Sequence, residues 1–73
     1  MDRIQAMSVF AEAAKLGSFV SAAEQLSMSA PAVTRAIATL EAQLNTRLFH
    51  RTTRRIRLTE AGIQYLNDVQ RIL

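Results

Sequence analysis

The chain has 73 residues, about the length of one small domain, and its nine Lys and Arg residues against six Asp and Glu residues give a formal net charge of +3. It has no cysteine and a single histidine, His50, which excludes a disulfide framework and zinc sites built from thiolates or several histidines. The longest uncharged stretch, residues 25–34, has ten residues, far fewer than the ~20 of a membrane helix. We therefore expect a folded cytoplasmic domain with no membrane segment, metal site or cofactor.

The first predicted helix begins near the N-terminus. Apolar residues follow the three- to four-residue spacing of one helical face at Ile4, Met7, Phe10 or Ala11, and Ala14. Gly17 is a natural end for this helix, because glycine adopts the left-handed conformation of a C-terminal cap without a steric penalty.

The second predicted helix is short and runs from Phe19 to Leu26. Ser18 can cap it by accepting a hydrogen bond from the first backbone N–H groups. A three-residue break follows, in which Ser29 is a good N-cap, and Pro31 lies in the first turn of the next helix, where its missing N–H costs nothing. A short helix and a long helix joined by three residues predict a helix-turn-helix. The competing interpretation of this pattern is an ordinary helical hairpin.

The third predicted helix covers residues 30–44, with an apolar stripe at Val33, Ile37, Leu40 and Leu44 and Asn45 as its left-handed cap. The candidate DNA-contacting residues of the major groove lie on the opposite face: Ala30, Pro31, Thr34, Arg35 and Ala38. Small side chains allow a helix to approach base edges closely, their methyl groups can contact thymine, and an arginine can pair with guanine. A phosphate contact is the equally weighted interpretation of the arginine.

The positive charge is concentrated in residues 35–58, where six arginines stand against Glu41 alone, a net charge of +5. Such a stretch is typical of a nucleic-acid contact surface, although a solvated arginine-rich loop has the same composition. Residues 55–58 alternate polar and apolar, and residues 48–51 have the length of one strand, so we expect a short hairpin with its turn at residues 52–54. Glu41 is interpreted as a surface or ion-pairing residue.

The hairpin supplies a second set of candidate contacts. Arg54 and Arg55 suit a neighbouring minor groove, since narrow minor grooves attract arginine. The candidate phosphate ligands are Ser18, Ser29, Arg51, Thr52 and Thr53. His50 is interpreted as a solvated residue of the hairpin. The sequence offers no nucleophile–base pair, paired carboxylates or glycine-rich phosphate loop, so we expect no enzyme.

A fourth helix is predicted after Thr59, which can cap it, with Glu60 placed favourably in the first turn. Its apolar positions are Tyr65, Leu66, Val69, Ile72 and Leu73. They form more apolar surface than so small a core easily covers, which predicts pairing with a twin helix in a homodimer and hence a pseudo-palindromic DNA site. The pattern reaches the last residue without a cap, so we expect the chain to be the front of a longer protein.

The chain closely resembles the N-terminal domain of LysR-type transcriptional regulators in the segments GSF (17–19), AA (22–23), PAVTR (31–35), LFHRTTR (48–54) and LTEAG (58–62). The resemblance implies a mainly α, winged helix-turn-helix fold over residues 1–58 and the start of a linker and dimerisation helix over residues 59–73. It also implies a C-terminal effector domain outside this sequence, through which a small-molecule effector would act. Ala30, Thr34 and Asn45 depart from the residues usual in the family, which are Gln, Ser and Gly.

The leading prediction is sequence-specific binding of double-stranded DNA, as the operator-recognition module of a bacterial transcription regulator close to the nucleoid. The resemblance places the residues at positions 30, 31, 34 and 35 at the major groove and Arg54 in the minor groove. Two alternatives use the same fold: a winged-helix protein-interaction module, and the DNA-binding domain of a molybdate-responsive regulator.

Overall fold

The computed structural model describes residues 2–51 and 55–73 of the chain. The elements in chain order are α1 (Arg3–Leu16), α2 (Phe19–Leu26), α3 (Ala30–Leu44), β1 (Phe49–Arg51), β2 (Ile56–Leu58) and α4 (Glu60–Ile72). The predicted mainly α class is confirmed. The predicted bounds of α2 and α3 are confirmed, and each strand begins one residue later than predicted.

Local capping interactions explain why the helices begin where they do. Ser18 Oγ accepts the N–H of Ser21 at 3.1 Å, and Ser29 Oγ accepts the N–H of Ala32 at 3.1 Å. Thr59 Oγ1 accepts the N–H of Gly62 at 2.9 Å. These side chains satisfy backbone donors that a helix leaves without intrahelical partners. All three N-caps were predicted from the sequence.

The ends of α1 and α3 are also as predicted. Gly17 and Asn45 both adopt the left-handed conformation, with φ of 66° and 52°. Ser27, at the end of α2, does the same with φ of 57°, although serine carries a Cβ that disfavours this region. The helix-turn-helix therefore depends on a strained residue between α2 and α3.

The core forms where the three N-terminal helices meet the hairpin. Its largest fully buried side chains include Phe10, Ile37 and Phe49. The Phe10 and Phe49 rings lie 5.4 Å apart, centroid to centroid, a separation typical of favourable aromatic pairs. Two predicted core positions are wrong: Leu44, the last residue of α3, is 36% exposed, and Ile4 is 52% exposed. The face of α1 that contacts the other helices is rotated away from it, and Val9 is buried instead.

The predicted hairpin is present and packs against the helices. β1 pairs antiparallel with β2, with Phe49 opposite Leu58 and Arg51 opposite Ile56. Leu48 and Phe49 are buried in the core, which anchors two strands that would be marginal by themselves. The predicted turn, at Thr52, Thr53 and Arg54, lies outside the described residues. Three helices followed by this hairpin form a winged helix-turn-helix, as predicted.

The helix α4 packs on α1 and on the root of the hairpin. Val69 is fully buried, and the rings of Phe10 and Tyr65 meet edge to face at 5.2 Å. Gly62 makes the close approach possible, because a Cβ at this position would overlap the carbonyl oxygen of Leu48. Within residues 2–51 and 55–73, no helix is both long and apolar enough to cross a membrane.

Candidate nucleic-acid interface

The turn between α2 and α3 sets the angle at which α3 stands out from the domain. The N–H of Met28 donates to the carbonyl oxygen of Ala23 at 2.8 Å, which closes the turn over the end of α2. Ala22 and Ala23 are buried, and their small side chains allow α2 and α3 to cross closely. One face of α3 is thereby held against α1 and α2, and its opposite face is left in solvent.

The predicted contact residues do share that solvent-facing side. Pro31, Thr34, Arg35 and Ala38 are exposed, and Ala30 is half-buried against the core. The inward stripe of Val33, Ile37 and Leu40 is essentially inaccessible. The exposed face is therefore narrow and carries mostly small side chains. Arg35 is the one long side chain among the five predicted contacts.

The hydroxyl of Thr34 already has an intrahelical partner. Thr34 Oγ1 donates to the carbonyl oxygen of Ala30 at 3.1 Å. A hydroxyl that donates its single proton retains only its acceptor lone pairs for a further partner. In this arrangement Thr34 presents a hydrogen-bond acceptor and a methyl group to whatever binds the face.

Glu41 corrects the sequence interpretation in part. It is a buried residue, with 7% exposure, and not a surface residue. Its Oε2 accepts the N–H of Leu48 at 2.8 Å and that of Phe49 at 3.3 Å, and its Oε1 pairs with Arg51 Nη2 at 2.7 Å. The ion-pairing alternative is thus confirmed. A sequence signal existed: Glu41 directly follows the core residue Leu40 and is the only acidic residue among the six arginines of residues 35–58.

Arg51 is held inside this arrangement. Its guanidinium bonds Glu41 and lies 5.5 Å above the ring of Phe19 in α2, a cation–π distance. The side chain is 29% exposed. A predicted phosphate ligand is therefore largely committed to other parts of the protein.

The other described cations in and beside the hairpin are exposed, as the residue Arg51 also is. Arg55 and Arg57 are exposed, as is Arg47 just before β1. Arg54, Thr52 and Thr53, which carry the predicted minor-groove and phosphate contacts, lie outside the described residues. Ser18 and Ser29 occupy the N-caps of α2 and α3, so their predicted phosphate contacts would occur at helix N-termini, where backbone N–H groups favour anions.

The predicted dimerisation residues separate into two groups. Val69 is fully buried within the domain, so its assignment to the surface facing a twin helix is wrong; the core of one chain already covers it. Tyr65 and Leu66 are half-buried against the same core. Ile72 and Leu73 are 57% and 56% exposed, and sequence reasoning missed Ile63, which is 51% exposed.

No group of three or more His, Cys, Asp or Glu side chains that could hold a metal ion occurs in the described part of the chain.

Comparison with known proteins gives a family match and close structural neighbours. The family model described as "Bacterial regulatory helix-turn-helix protein, lysR family" matches residues 4–63. The chain is 44% identical, over all 73 of its residues, to the HTH-type transcriptional activator AaeR of Escherichia coli K12, and 48% identical over 67 residues, or 92% of the chain, to the HTH-type transcriptional regulator CrgA of Neisseria meningitidis. It spans 24% and 22% of the lengths of those relatives.

Two solved structures of one regulator are similar to the chain. The complex of the CbnR DNA-binding domain with DNA superposes with a TM-score of 0.94 at 37% sequence identity, covering 97% of this chain and 82% of that one. Full-length CbnR complexed with its target DNA gives a TM-score of 0.93 at the same identity, covering 97% of this chain and 25% of that one.

Proposed function

The chain belongs to the LysR family of bacterial regulatory helix-turn-helix proteins, and on this basis we propose that it binds double-stranded DNA sequence-specifically as the operator-recognition module of a transcription regulator. One observation carries the proposal: α3 exposes a narrow face of small residues with one arginine, on a fold that superposes closely on a DNA-binding domain solved with DNA. The curated relatives are transcription regulators, and no enzyme activity is proposed.

The exposed face of α3 enters the major groove in this proposal. Ala30, Pro31, Thr34 and Ala38 approach base edges closely and offer methyl or methylene groups to thymine methyls. Arg35 donates to guanine O6 and N7 or to a backbone phosphate. Thr34 adds an acceptor, because its hydroxyl proton is used within the helix, and an acceptor suits the amino group of adenine or cytosine.

The hairpin and the N-caps contribute the remaining contacts. Arg54 and Arg55 approach the adjacent minor groove, and Ser18, Ser29, Thr52 and Thr53 bind phosphates. Arg51 is not retained as a principal phosphate ligand, because Glu41 and Phe19 engage its guanidinium.

Residues 59–73 begin a linker helix through which two chains form a homodimer. Support comes from the apolar side chains that α4 leaves exposed, at Ile63, Ile72 and Leu73. A two-fold dimer places two α3 helices at a fixed separation and so selects a pseudo-palindromic operator. The same proposal includes a longer protein with an effector domain for a small molecule. It also includes a location in the cytoplasm, at the nucleoid. It includes no cofactor for this segment.

The two alternatives from the sequence have less support. The matching family model is that of LysR regulators, which favours this family over the molybdate-responsive regulators. A protein-interaction module would use the same fold without nucleic acid, and the salt dependence of binding separates it from a DNA-binding domain.

The test is a salt titration of binding to a fluorescent duplex. Displacement of counterions from DNA makes log K fall linearly with log salt concentration, with a slope of about −0.9 per neutralised phosphate. We expect such a linear fall, and a shallower slope for Arg54→Ala. Binding that does not depend on salt, or no binding to any duplex, would contradict the proposal.

A further inference from the structure

Glu41 lies on the same stripe of α3 as two proposed DNA contacts. Thr34, Ala38 and Glu41 follow one another at i, i+4 and i+7, which places them on one side of the helix. Ala38, Glu41 and Arg51 line one shallow cleft beside the root of the hairpin. The buried carboxylate therefore stands about one turn beyond the last proposed base contact, where the protein surface passes from α3 to the hairpin.

The carboxylate binds three donors from four consecutive residues of that root. The N–H groups of Leu48 and Phe49 bond one oxygen, and the guanidinium of Arg51 bonds the other. Both oxygens of Glu41 are thus used to hold β1 at a defined distance and angle from α3. Charge-assisted hydrogen bonds of this kind are among the stronger and more directional ones in proteins.

Arg51 extends the connection to a third element. Its guanidinium lies over the ring of Phe19 in α2, and that ring meets Phe49 edge to face at 5.4 Å. The hairpin root is consequently fixed against α2 and α3 together, the two helices of the helix-turn-helix.

The stability of the fold does not by itself explain why a carboxylate is buried at position 41. Buried ion pairs are often no more stabilising than apolar side chains of similar volume, because desolvation of the charges offsets their attraction. A negative charge among six arginines also opposes the binding of a polyanion. The carboxylate forms directional hydrogen bonds to the hairpin, and an apolar side chain cannot form them.

We propose that Glu41 is a positioning residue for DNA recognition: its carboxylate fixes the β1–β2 hairpin relative to the exposed face of α3, so that the helix and the hairpin contact one DNA duplex at the same time. The proposal rests on the DNA-binding function proposed above. It assigns Arg51 to positioning as well.

The variant Glu41→Gln separates positioning from charge. It raises the net charge by one, so simple electrostatics predicts tighter DNA binding. Positioning predicts the opposite, a loss of about tenfold, which is the scale of coupling within one hydrogen-bonded network. Glu24→Gln is the matched control, because it makes the same change of charge at an exposed position of α2, and we expect it to bind as tightly as the unchanged protein or slightly more so.

Hydroxyl-radical footprinting on a duplex selected by the unchanged protein measures the pattern of protected positions along the DNA backbone. A smaller folded fraction lowers the protection at all positions and does not change this pattern. With Glu41→Gln we expect protection of the deoxyriboses beside the major groove that α3 enters to persist, and protection of the flanking backbone that the hairpin contacts to weaken. Urea unfolding of each variant gives the folded fraction, by which the binding constants are corrected.

The double variant Glu41→Met with Arg51→Met covers the case in which the single variant does not fold. Removal of both charges leaves no unpaired buried ion, but the N–H groups of Leu48 and Phe49 lose their acceptor. We therefore expect a folded but less stable domain together with weak flanking protection. If the double variant lost only one phosphate contact, the slope of log K against log salt concentration would change by about one, and the flanking DNA backbone would remain protected.

The inference is overturned if a folded Glu41→Gln or double variant keeps its flanking protection intact, with or without a loss of affinity. Failure of the unchanged protein to select any duplex would instead contradict the proposed function, so the two failures are distinguishable.

Discussion

In the proposed complex with DNA, base discrimination depends most directly on Arg35. It is exposed on α3 among small neighbours, and its planar group can bond two acceptors of one guanine, whereas lysine cannot reproduce that geometry. We expect Arg35→Lys to retain most of the salt dependence and to lose about 1–3 kcal/mol of discrimination at one base pair. Affinities for a series of single-base-pair operator variants would measure it.

The control for Arg35 is Arg71→Lys, a change at an exposed position in the last turn of α4, which should leave the base preferences unchanged. If Arg35→Lys keeps the full preference at every base pair, Arg35 contacts phosphate and the discrimination comes from the apolar contacts of α3.

Tyr65 predicts a pH dependence of stability. Burial raises the pKa of its hydroxyl above the ordinary 10.0, with Asp68 acting in the same direction and Arg3 against it. The phenol therefore loses its proton more readily in the unfolded chain, so its contribution to stability is complete below pH 10 and falls as the pH rises through the folded pKa. Urea unfolding at increasing pH should show this fall in the unchanged protein and a smaller one in Tyr65→Phe.

The same variant tests an unsatisfied polar group. The Tyr65 hydroxyl is buried without a hydrogen-bond partner among the described residues, an arrangement that costs free energy. We expect Tyr65→Phe to raise the free energy of unfolding at neutral pH by up to about 1 kcal/mol. A marked destabilisation would show that the hydroxyl has a partner in solution.

At the scale of the elements, the contact between α4 and the hairpin root depends on one glycine. A Cβ at Gly62 would overlap the Leu48 carbonyl oxygen and lie 2.9 Å from a methyl group of Leu58. We expect Gly62→Ala to lower the free energy of unfolding by about 3 kcal/mol, at the upper end of the cost of overpacking. Chemical denaturation would measure the loss.

Gly17→Ala is the matched control for this close approach. Its Cβ would meet nothing within 4 Å, and only the positive φ of 66° opposes the substitution. The expected cost is about 1 kcal/mol. If Gly62→Ala destabilises no more than Gly17→Ala, the close approach of Leu48 does not determine the effect of the substitution at Gly62.

The helix ends were predictable because they depend on neighbours in sequence. Ser18, Ser29 and Thr59 each cap with a group three residues away, and Asn45 and Gly17 carry their conformational preference within a single residue. Helical periodicity likewise placed Thr34 and Arg35 on the exposed side of α3. These features require no knowledge of how the elements pack.

The features that escaped prediction depend on contacts between elements. Ile4 fits the apolar periodicity of α1, but the burial of α1 by α2, α3 and α4 places its inward face elsewhere. The burial of Glu41 was not predicted, since its partners Leu48 and Arg51 lie seven and ten residues away, outside α3. The burial of Val69 depends on how α4 lies across α1, a long-range arrangement that periodicity does not encode.

At the scale of the whole molecule, the charge and the apolar surface are divided between different parts. The six arginines of residues 35–58 belong to α3, the hairpin and the loop between them, which is where DNA binding is proposed. The exposed apolar side chains of Ile63 and Ile72 belong to α4, and that of Leu73 directly follows its last residue; dimerisation is proposed there.

This division predicts different outcomes for two substitutions in α4. Ile72→Asp changes an exposed side chain, and we expect it to weaken dimerisation about tenfold, with a fold that remains intact. Val69→Asp places a charge in the core and should unfold the domain. Sedimentation equilibrium with circular dichroism separates the two effects, and an unchanged association constant for Ile72→Asp would count against α4 as the dimer interface.

Selection of bound duplexes from a random DNA pool, carried out at moderate salt, tests the central claim that α3 reads DNA sequence. Base readout by α3 in a two-fold dimer predicts enrichment of an inverted repeat whose half-sites lie one or more helical turns apart. It also predicts the loss of the preference at one guanine when the selection is repeated with Arg35→Ala. Recovery of no consensus, or of the same consensus with Arg35→Ala and Thr34→Ala combined, would contradict base readout by α3.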